Sequence, residues 1–174
     1  YQHFRTIAQG TNLPCILYNV PSRTVINLSA ETVIRLSQID NIIGVKEASG
    51  NLDQISKIVN NAEDGFLVYS GNDSDTLPIL ALGGYGIISV ASHLVGNQIQ
   101  EMIKSATEGR IAQAASIHHH LLPLVNALFV VSNPIPIKYA LNFLGFPVGQ
   151  PRLPLTPPNE KSAASIEAVL KSYH

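Results

Sequence analysis

The sequence has little charge, few aromatic residues and almost no cysteine. Of its 174 residues, 13% are charged, 6% are aromatic and one is a cysteine. A single cysteine excludes a disulfide scaffold and any zinc site built from several cysteine ligands. The near balance of 11 basic and 12 acidic residues excludes a basic surface that binds nucleic acid through charge. The 45% share of hydrophobic residues excludes a disordered chain.

A long apolar segment is missing as well. The longest apolar run, residues 121–131, contains Pro123 and Asn126 and is far shorter than the ~20 residues that a membrane span needs. We therefore predict a soluble globular protein with a well-buried core and no membrane partner. The low share of charge also predicts that other subunits cover part of the surface.

Four short apolar runs alternate with segments of helical periodicity. We predict buried strands at 15–19, 42–47, 66–70 and 86–90. Ser29 and Asn51 are good N-cap residues for two of the intervening helices, and Asp73 or Ser74 for a third. Strand–helix alternation at this spacing predicts an α/β fold, with βα units on a parallel sheet that is buried on both faces.

The pattern beyond His93 is helical, with helices predicted at 96–108, 111–131, 136–144 and 160–172. We predict that residues 1–109 form the second half of a (β/α)8 TIM barrel and that residues 110–174 form a C-terminal helical domain. Four βα units are half of a barrel, which takes ~250 residues in all. An open doubly wound sheet is disfavoured because no Gly-x-Gly-x-x-Gly follows a strand. The chain opens at Tyr1, without Met and inside a helical pattern, so we expect a preceding segment.

Lys46 is the unusual residue of the second strand. Side chains alternate along a strand, which predicts that Ile42, Gly44 and Lys46 share one face, with space for a small ligand above Gly44. A lysine at the carboxyl end of a barrel strand loses hydration, which favours the neutral amine that attacks a carbonyl. The simpler interpretation is a lysine that extends into solvent, paired with Glu47.

Tyr18 and Arg23 follow the same logic at the end of the first strand. Loops at the carboxyl ends of strands build the active sites of barrels, a tyrosine hydroxyl can relay protons, and an arginine binds carboxylates. A tyrosine that caps the core and a solvated arginine are the plain alternatives. Gly71, directly after the third strand, would let a ligand approach the backbone.

Five segments of the chain together resemble a known family. They are YNVPSRT at 18–24, GVKEASGN at 44–51, SGND at 70–73, GGYGIISV at 83–90 and NPIPIK at 133–138. This set is similar to the dihydrodipicolinate synthase / N-acetylneuraminate lyase family of class I aldolase-type barrels, over essentially the whole chain. The first and last segments resemble the dihydrodipicolinate synthase branch more than the sialate-lyase branch. Members often carry Gly after Arg-Thr, where this chain has Val25.

The resemblance implies roles for five residues. Lys46 would form the Schiff base with pyruvate, Tyr18 would relay protons, and Arg23 would hold the carboxylate of the second substrate. The main chain of Gly71 and Ile88 would line the pocket. The resemblance also implies an N-terminal half, before Tyr1. That half would carry the family's pyruvate-carboxylate loop, a relay threonine and a tyrosine that reaches in from the partner subunit.

The resemblance also implies an activity, which is a lyase-class synthase of the lysine and diaminopimelate pathway. It would condense pyruvate with L-aspartate 4-semialdehyde to 4-hydroxy-tetrahydrodipicolinate, in the cytoplasm, as a homotetramer built as a dimer of dimers. No cofactor, metal or nucleic acid takes part. One alternative is an N-acetylneuraminate or keto-deoxy-sugar-acid lyase, which shares the imine step. The alternative of another class is a structural fragment with an incomplete pocket and no catalysis.

Overall fold

The computed structural model describes residues 1–173, which divide into two compact units at Ile88/Ser89. The first unit runs in the order α1 (Gln2–Gln9), β1 (Cys15–Asn19), α2 (Pro21–Thr24), α3 (Ala30–Leu36), β2 (Ile42–Glu47), α4 (Leu52–Asn61), β3 (Leu67–Ser70), a 3-10 turn (Asp73–Asp75), α5 (Thr76–Ala81) and β4 (Gly86–Ile87). The four strands form one parallel sheet in the order β1-β2-β3-β4. The predicted parallel sheet is confirmed, and its strands are adjacent in chain order.

Two predicted N-caps begin helices of the first unit. The Ser29 hydroxyl accepts a hydrogen bond from the Thr32 amide at 3.3 Å. The Asn51 side-chain oxygen accepts one from the Gln54 amide at 3.0 Å. Each cap satisfies an amide that has no partner inside its helix, and so fixes where α3 and α4 begin.

One face of the sheet carries the core of the first unit. Leu17, Val45 and Val68 project from the three longer strands and are almost completely buried. The residues that pack on them from α3, α4 and α5 are Val33, Leu36, Ile55, Ile58 and Ile79. The opposite face is open in this chain, so large side chains such as Ile16 and Tyr18 remain exposed there.

An irregularity between β1 and β2 changes which residues share a face. Cys15 pairs with Ile42, but the next residue, Ile16, pairs with Gly44, so Ile43 is passed over. Ile42 therefore turns into the core, where it is 2% exposed beside Val45. The prediction that Ile42 shares a face with Lys46 is wrong, because strict alternation does not hold across such a bulge.

The regular elements of the second unit, among its described residues from Ser89 onward, are all helices. They are α6 (Ser92–Thr107), α7 (Ile111–Ala127), α8 (Ile135–Phe143) and α9 (Glu160–Leu170). The predicted boundary at residue 109 lies between α6 and α7 within this unit, and the assignment of α6 to a barrel stays a prediction. No helix among residues 1–173 is both long enough and apolar enough to cross a membrane.

Candidate functional site

Tyr18 and Lys46 lie side by side near the carboxyl ends of adjacent strands. They are register partners in β1 and β2, and both project from the open face of the sheet. The Lys46 Nζ lies 4.2 Å from the centroid of the Tyr18 ring. An ammonium over an aromatic face is attracted by the ring's electron density, so this contact gives the half-buried lysine a defined direction.

Glu47 is not the partner of Lys46. Consecutive residues of a strand point to opposite faces, and the Glu47 side chain is fully buried on the helix-covered side. Its carboxylate accepts hydrogen bonds from Asn19, Ser49 and Gln54. The interpretation of Lys46 as a solvent-exposed lysine paired with Glu47 is therefore wrong about the pairing.

Two glycines near Lys46 have different reasons to be glycine. A Cβ at Gly44 would lie 2.5 Å from the Leu67 carbonyl oxygen, so β3 already occupies the space that the sequence assigned to a ligand. A Cβ at Gly71 would lie 3.2 Å from Lys46 Cγ and 2.7 Å from Ala48 Cβ. The missing side chain at Gly71 thus lets the chain after β3 lie against the stem of the lysine.

Gly71 and Ile88 reach the same edge through main-chain hydrogen bonds. The Gly71 amide donates to the Glu47 carbonyl at 2.7 Å, and the Ile88 amide donates to the Ser70 carbonyl at 3.1 Å. Tyr18, Lys46, Gly71 and Ile88 thus share one end of the sheet, because all four lie at the carboxyl ends of parallel strands.

Arg23 lies apart from this group. It is an exposed residue of the single-turn helix α2, directly after β1, and it forms no ion pair with any residue from 1 to 173. Val25 follows, in the left-handed conformation with φ +63°. The structure therefore places Arg23 in the segment that follows β1, without joining its guanidinium to Lys46.

Tyr69 is a site residue that the sequence prediction missed. It is the register partner of Lys46 on the other neighbouring strand, and its ring meets that of Tyr85 edge-on at 5.3 Å between centroids. Lys46 is thus flanked on both sides by tyrosine positions, Tyr18 and Tyr69. The signal is the alternation of residues 67–70, which places Tyr69 on the face opposite to the buried Val68.

The carboxyl ends of the strands bring together an amine, from Lys46, with tyrosine hydroxyls and main chain. Among the described residues, no group of three or more His, Cys, Asp or Glu side chains could hold a metal ion. The groups available at the strand ends are a half-buried lysine, tyrosine hydroxyls and, in the adjacent loop, one arginine. An amine and a proton carrier are what imine chemistry on a carbonyl compound requires.

A model of the dihydrodipicolinate synthetase family matches residues 1–173. The chain is 66% identical over 173 residues to a 4-hydroxy-tetrahydrodipicolinate synthase of Dehalococcoides mccartyi, covering 99% of this chain and 58% of the relative. It superimposes with a TM-score of 0.96 and 46% identity on a DHDPS from Cyanidioschyzon merolae crystallised with lysine, covering 98% of this chain and 58% of that one.

A further solved structure is described as the first monomeric dihydrodipicolinate synthase variant. It matches with a TM-score of 0.95 and 42% identity over 98% of this chain and 58% of its own. The chain therefore spans somewhat more than half of the length of the relatives it matches. The family model covers residues 1–173, and the relatives found by sequence and by structure carry the name of the same enzyme. The chain therefore belongs to the dihydrodipicolinate synthetase family.

Proposed function

We propose that this chain is part of a 4-hydroxy-tetrahydrodipicolinate synthase that joins pyruvate to L-aspartate 4-semialdehyde through a Schiff base on Lys46. The observation that carries the proposal is the position of Lys46. It is a half-buried lysine at the carboxyl end of a parallel strand, directed by the ring of Tyr18, in a chain of this family.

The chemical steps follow from an amine and a 2-keto acid. The neutral Nζ of Lys46 attacks the keto carbon of pyruvate, and loss of water leaves an imine. The protonated imine withdraws electrons and makes the pyruvate methyl group acidic, so the methyl carbon releases a proton to the Tyr18 relay. The resulting enamine forms a carbon–carbon bond with the aldehyde carbon of the second substrate, and the aldehyde oxygen takes up a proton. The amino group of that substrate then displaces Lys46, which closes the ring and frees the enzyme.

The surrounding residues supply the other requirements of these steps. The Tyr18 hydroxyl relays the protons that enter and leave, and its ring holds the amine. Arg23, which is exposed in α2, binds the carboxylate of the semialdehyde through its guanidinium when this substrate enters the site. Gly71 and Ile88 line the pocket with main chain, which Gly71 can do because it has no side chain to fill the space beside Lys46.

The complete enzyme would contain more chain than the 174 residues. In the proposal, residues 1–109 are the second half of a (β/α)8 barrel, a further segment supplies the other four strands, and residues 110–174 are a C-terminal helical domain. The open sheet face, with Ile16, Tyr18 and Ile88 exposed, supports a covering segment. The complete enzyme is proposed to act in the cytoplasm, without a cofactor, as a dimer of dimers. By itself, the present chain is proposed to lack turnover.

The test is to trap the imine in the complete enzyme. Sodium borohydride added with pyruvate should reduce the imine to a stable secondary amine, and peptide mapping by mass spectrometry should place it on Lys46. Lys46→Arg should abolish the adduct, whereas Lys57→Arg, at an exposed position of α4, should leave it unchanged. Lys138 should likewise carry no adduct, because its ammonium already donates to the Val148 carbonyl at 2.8 Å. An adduct that persists in Lys46→Arg would end the proposal.

A further inference from the structure

A buried polar cluster lies directly behind Lys46, on the helix-covered side of the sheet. Its centre is the carboxylate of Glu47, which is 0% exposed. Oε1 accepts hydrogen bonds from Asn19 Nδ2 at 3.0 Å and from the Ser49 amide at 2.8 Å. Oε2 accepts hydrogen bonds from Gln54 Nε2 at 3.0 Å and from Asn19 Nδ2 at 3.1 Å. Every described partner of this carboxylate is a neutral donor, and none is a cation.

The cluster extends to the loop that carries Arg23. Asn19 Nδ2 also donates to Asn27 Oδ1 at 2.9 Å, and Asn19 Oδ1 accepts from the Leu28 amide at 2.9 Å. Asn27 Nδ2 in turn donates to Gln54 Oε1 at 2.8 Å. The segment between Asn19 and Asn27 contains α2, so hydrogen bonds to the Glu47 cluster fix both ends of the loop on which Arg23 lies.

The backbone of Glu47 is held as firmly as its side chain. Its carbonyl accepts the Gly71 amide at 2.7 Å, and the amide of the next residue, Ala48, donates to the Asn19 carbonyl at 2.9 Å. Lys46 shares a peptide bond with Glu47, so a turn of the backbone at Glu47 would redirect the lysine side chain. These bonds keep Lys46 on the open face beside Tyr18.

Stability alone does not account for an acidic residue at this position. Burying a carboxylate without a cation is unfavourable, and apolar side chains such as Leu17 and Val45 pack the rest of the same face. A buried polar group that satisfies several donors at once instead specifies one arrangement of the elements that carry them. Here those elements are the ends of β1 and β2, the Arg23 loop and the start of α4.

We propose that Glu47 is a positioning residue for the Schiff-base lysine and for the Arg23 loop. The inference rests on the proposed function of Lys46 and extends it. Glu47 does not touch substrate. It acts through the peptide bond that it shares with Lys46 and through the hydrogen bonds of its carboxylate to Asn19 and Gln54.

The principal test is Glu47→Gln in the complete enzyme. Glutamine keeps the size of the side chain but turns one acceptor oxygen into a donor that faces the donor groups of Asn19, Ser49 or Gln54. We expect kcat and the rate of borohydride trapping on Lys46 to fall roughly 10- to 100-fold, because a misplaced reacting group loses rate in that range. The KM for pyruvate should change much less, since Glu47 makes no contact with it.

Two control variants separate positioning from stability. Ile58→Val removes one methylene from a fully buried core residue of α4 and should lower the melting temperature without changing kcat. Glu63→Gln makes the same chemical change at an exposed position before β3 and should change neither quantity. Gln54→Met deletes one donor to the carboxylate, so it should lower kcat about tenfold even where Glu47→Gln does not fold.

The outcomes distinguish this inference from the proposed function. If the unaltered enzyme gives no pyruvate adduct on Lys46, the proposed function fails. If the unaltered enzyme gives the adduct and folded Glu47→Gln forms it at the same rate with the same kcat, the positioning role is overturned. A loss of kcat in Ile58→Val that equals the loss in Gln54→Met would also overturn it, because a general loss of stability would then explain both.

Discussion

At the scale of single residues, Val25 is held in a backbone conformation that suits glycine. It is the one non-glycine residue between 1 and 173 with a positive φ, at 63°, and its β-branched side chain is 92% exposed. The left-handed conformation costs an L-residue about 1–2 kcal/mol, which glycine avoids. Glycine also has more conformational freedom in the unfolded chain, and losing it on folding offsets part of this stabilisation. Val25→Gly should therefore raise the free energy of unfolding by about 0.5–1 kcal/mol, measured by urea denaturation. The neighbouring Ile26→Gly should lower it, and a lower value for both would show that Val25 is not strained.

Gly71 is the residue whose substitution should act most directly on Lys46. An alanine Cβ there would lie 2.7 Å from Ala48 Cβ and 3.2 Å from Lys46 Cγ, too close for either group to stay in place. We expect Gly71→Ala in the complete enzyme to slow adduct formation with pyruvate roughly 10- to 100-fold, as displacement of a reacting group does. Gly96→Ala is the control, because its Cβ would meet nothing within 4 Å. Equal trapping rates in the two variants would show that the contact with Lys46 has no effect on the chemistry.

The sequence predicted those parts of the site that depend on local pattern. Tyr18 and Lys46 lie near the carboxyl ends of two apolar strands, as predicted, and parallel pairing also brings them into register. Ile42 was assigned to the wrong face, because a bulge depends on how two strands pair and leaves no mark on either strand alone. The Glu47 cluster was missed for a similar reason, since Asn19, Asn27 and Gln54 meet only after folding.

At the scale of elements, the strands and two of the three N-caps were predicted better than the short helices. Ser29 and Asn51 cap α3 and α4 as predicted. The prediction of Asp73 or Ser74 as the third cap is wrong, because a 3-10 turn intervenes and α5 begins after Asp75. β1 and β2 have the predicted bounds. β4 was predicted to reach Val90 because the apolar run continues to that residue, but it is limited to Gly86–Ile87, and the second unit begins at Ser89. The helix α2, Pro21–Thr24, was not predicted at all. A single turn has no periodicity to recognise, and its only local signal is proline at the first position.

Helix α3 should lose part of its stability in acid through Glu31. The Glu31 backbone amide and the Ser29 hydroxyl donate to this carboxylate, which lowers its pKa from the usual 4.5. A lowered pKa in the folded state means that the stabilising effect is complete above pH ~5 and disappears as the pH falls through the folded-state pKa. Glu31→Gln should therefore lower the melting temperature at pH 7, and the difference from the unaltered protein should shrink below about pH 4. A difference that stays constant from pH 7 to pH 3 would contradict this role. Asp53→Asn at the start of α4 offers a comparison at another first-turn carboxylate.

At the scale of the whole molecule, the open face of the sheet should control how the chain behaves alone. Ile16, Tyr18, Ile43 and Ile88 are each between 37% and 46% exposed, and β1 and β4 present unpaired edges among the described strands. Unpaired edges beside exposed apolar side chains are a template for association with other chains. We expect the isolated 174-residue chain to form oligomers or aggregates at micromolar concentration, as sedimentation velocity would show.

A charge on that face is the decisive variant. Ile16→Lys places an ammonium on the edge strand β1, on the open face, and should increase the fraction of monomer in the isolated chain, because like charges oppose the packing of two such faces. Leu13→Lys, at a position outside the sheet that is 70% exposed, should leave association unchanged. In the complete enzyme, by contrast, Ile16→Lys should be the harmful variant of the two. There Ile16 is expected to be covered by the segment that supplies the other strands, so Ile16→Lys should unfold or inactivate the enzyme, while Leu13→Lys should not. If the isolated, unaltered chain sediments as a stable monomer and Ile16→Lys leaves the complete enzyme active, the open face is not the surface on which the rest of the barrel packs.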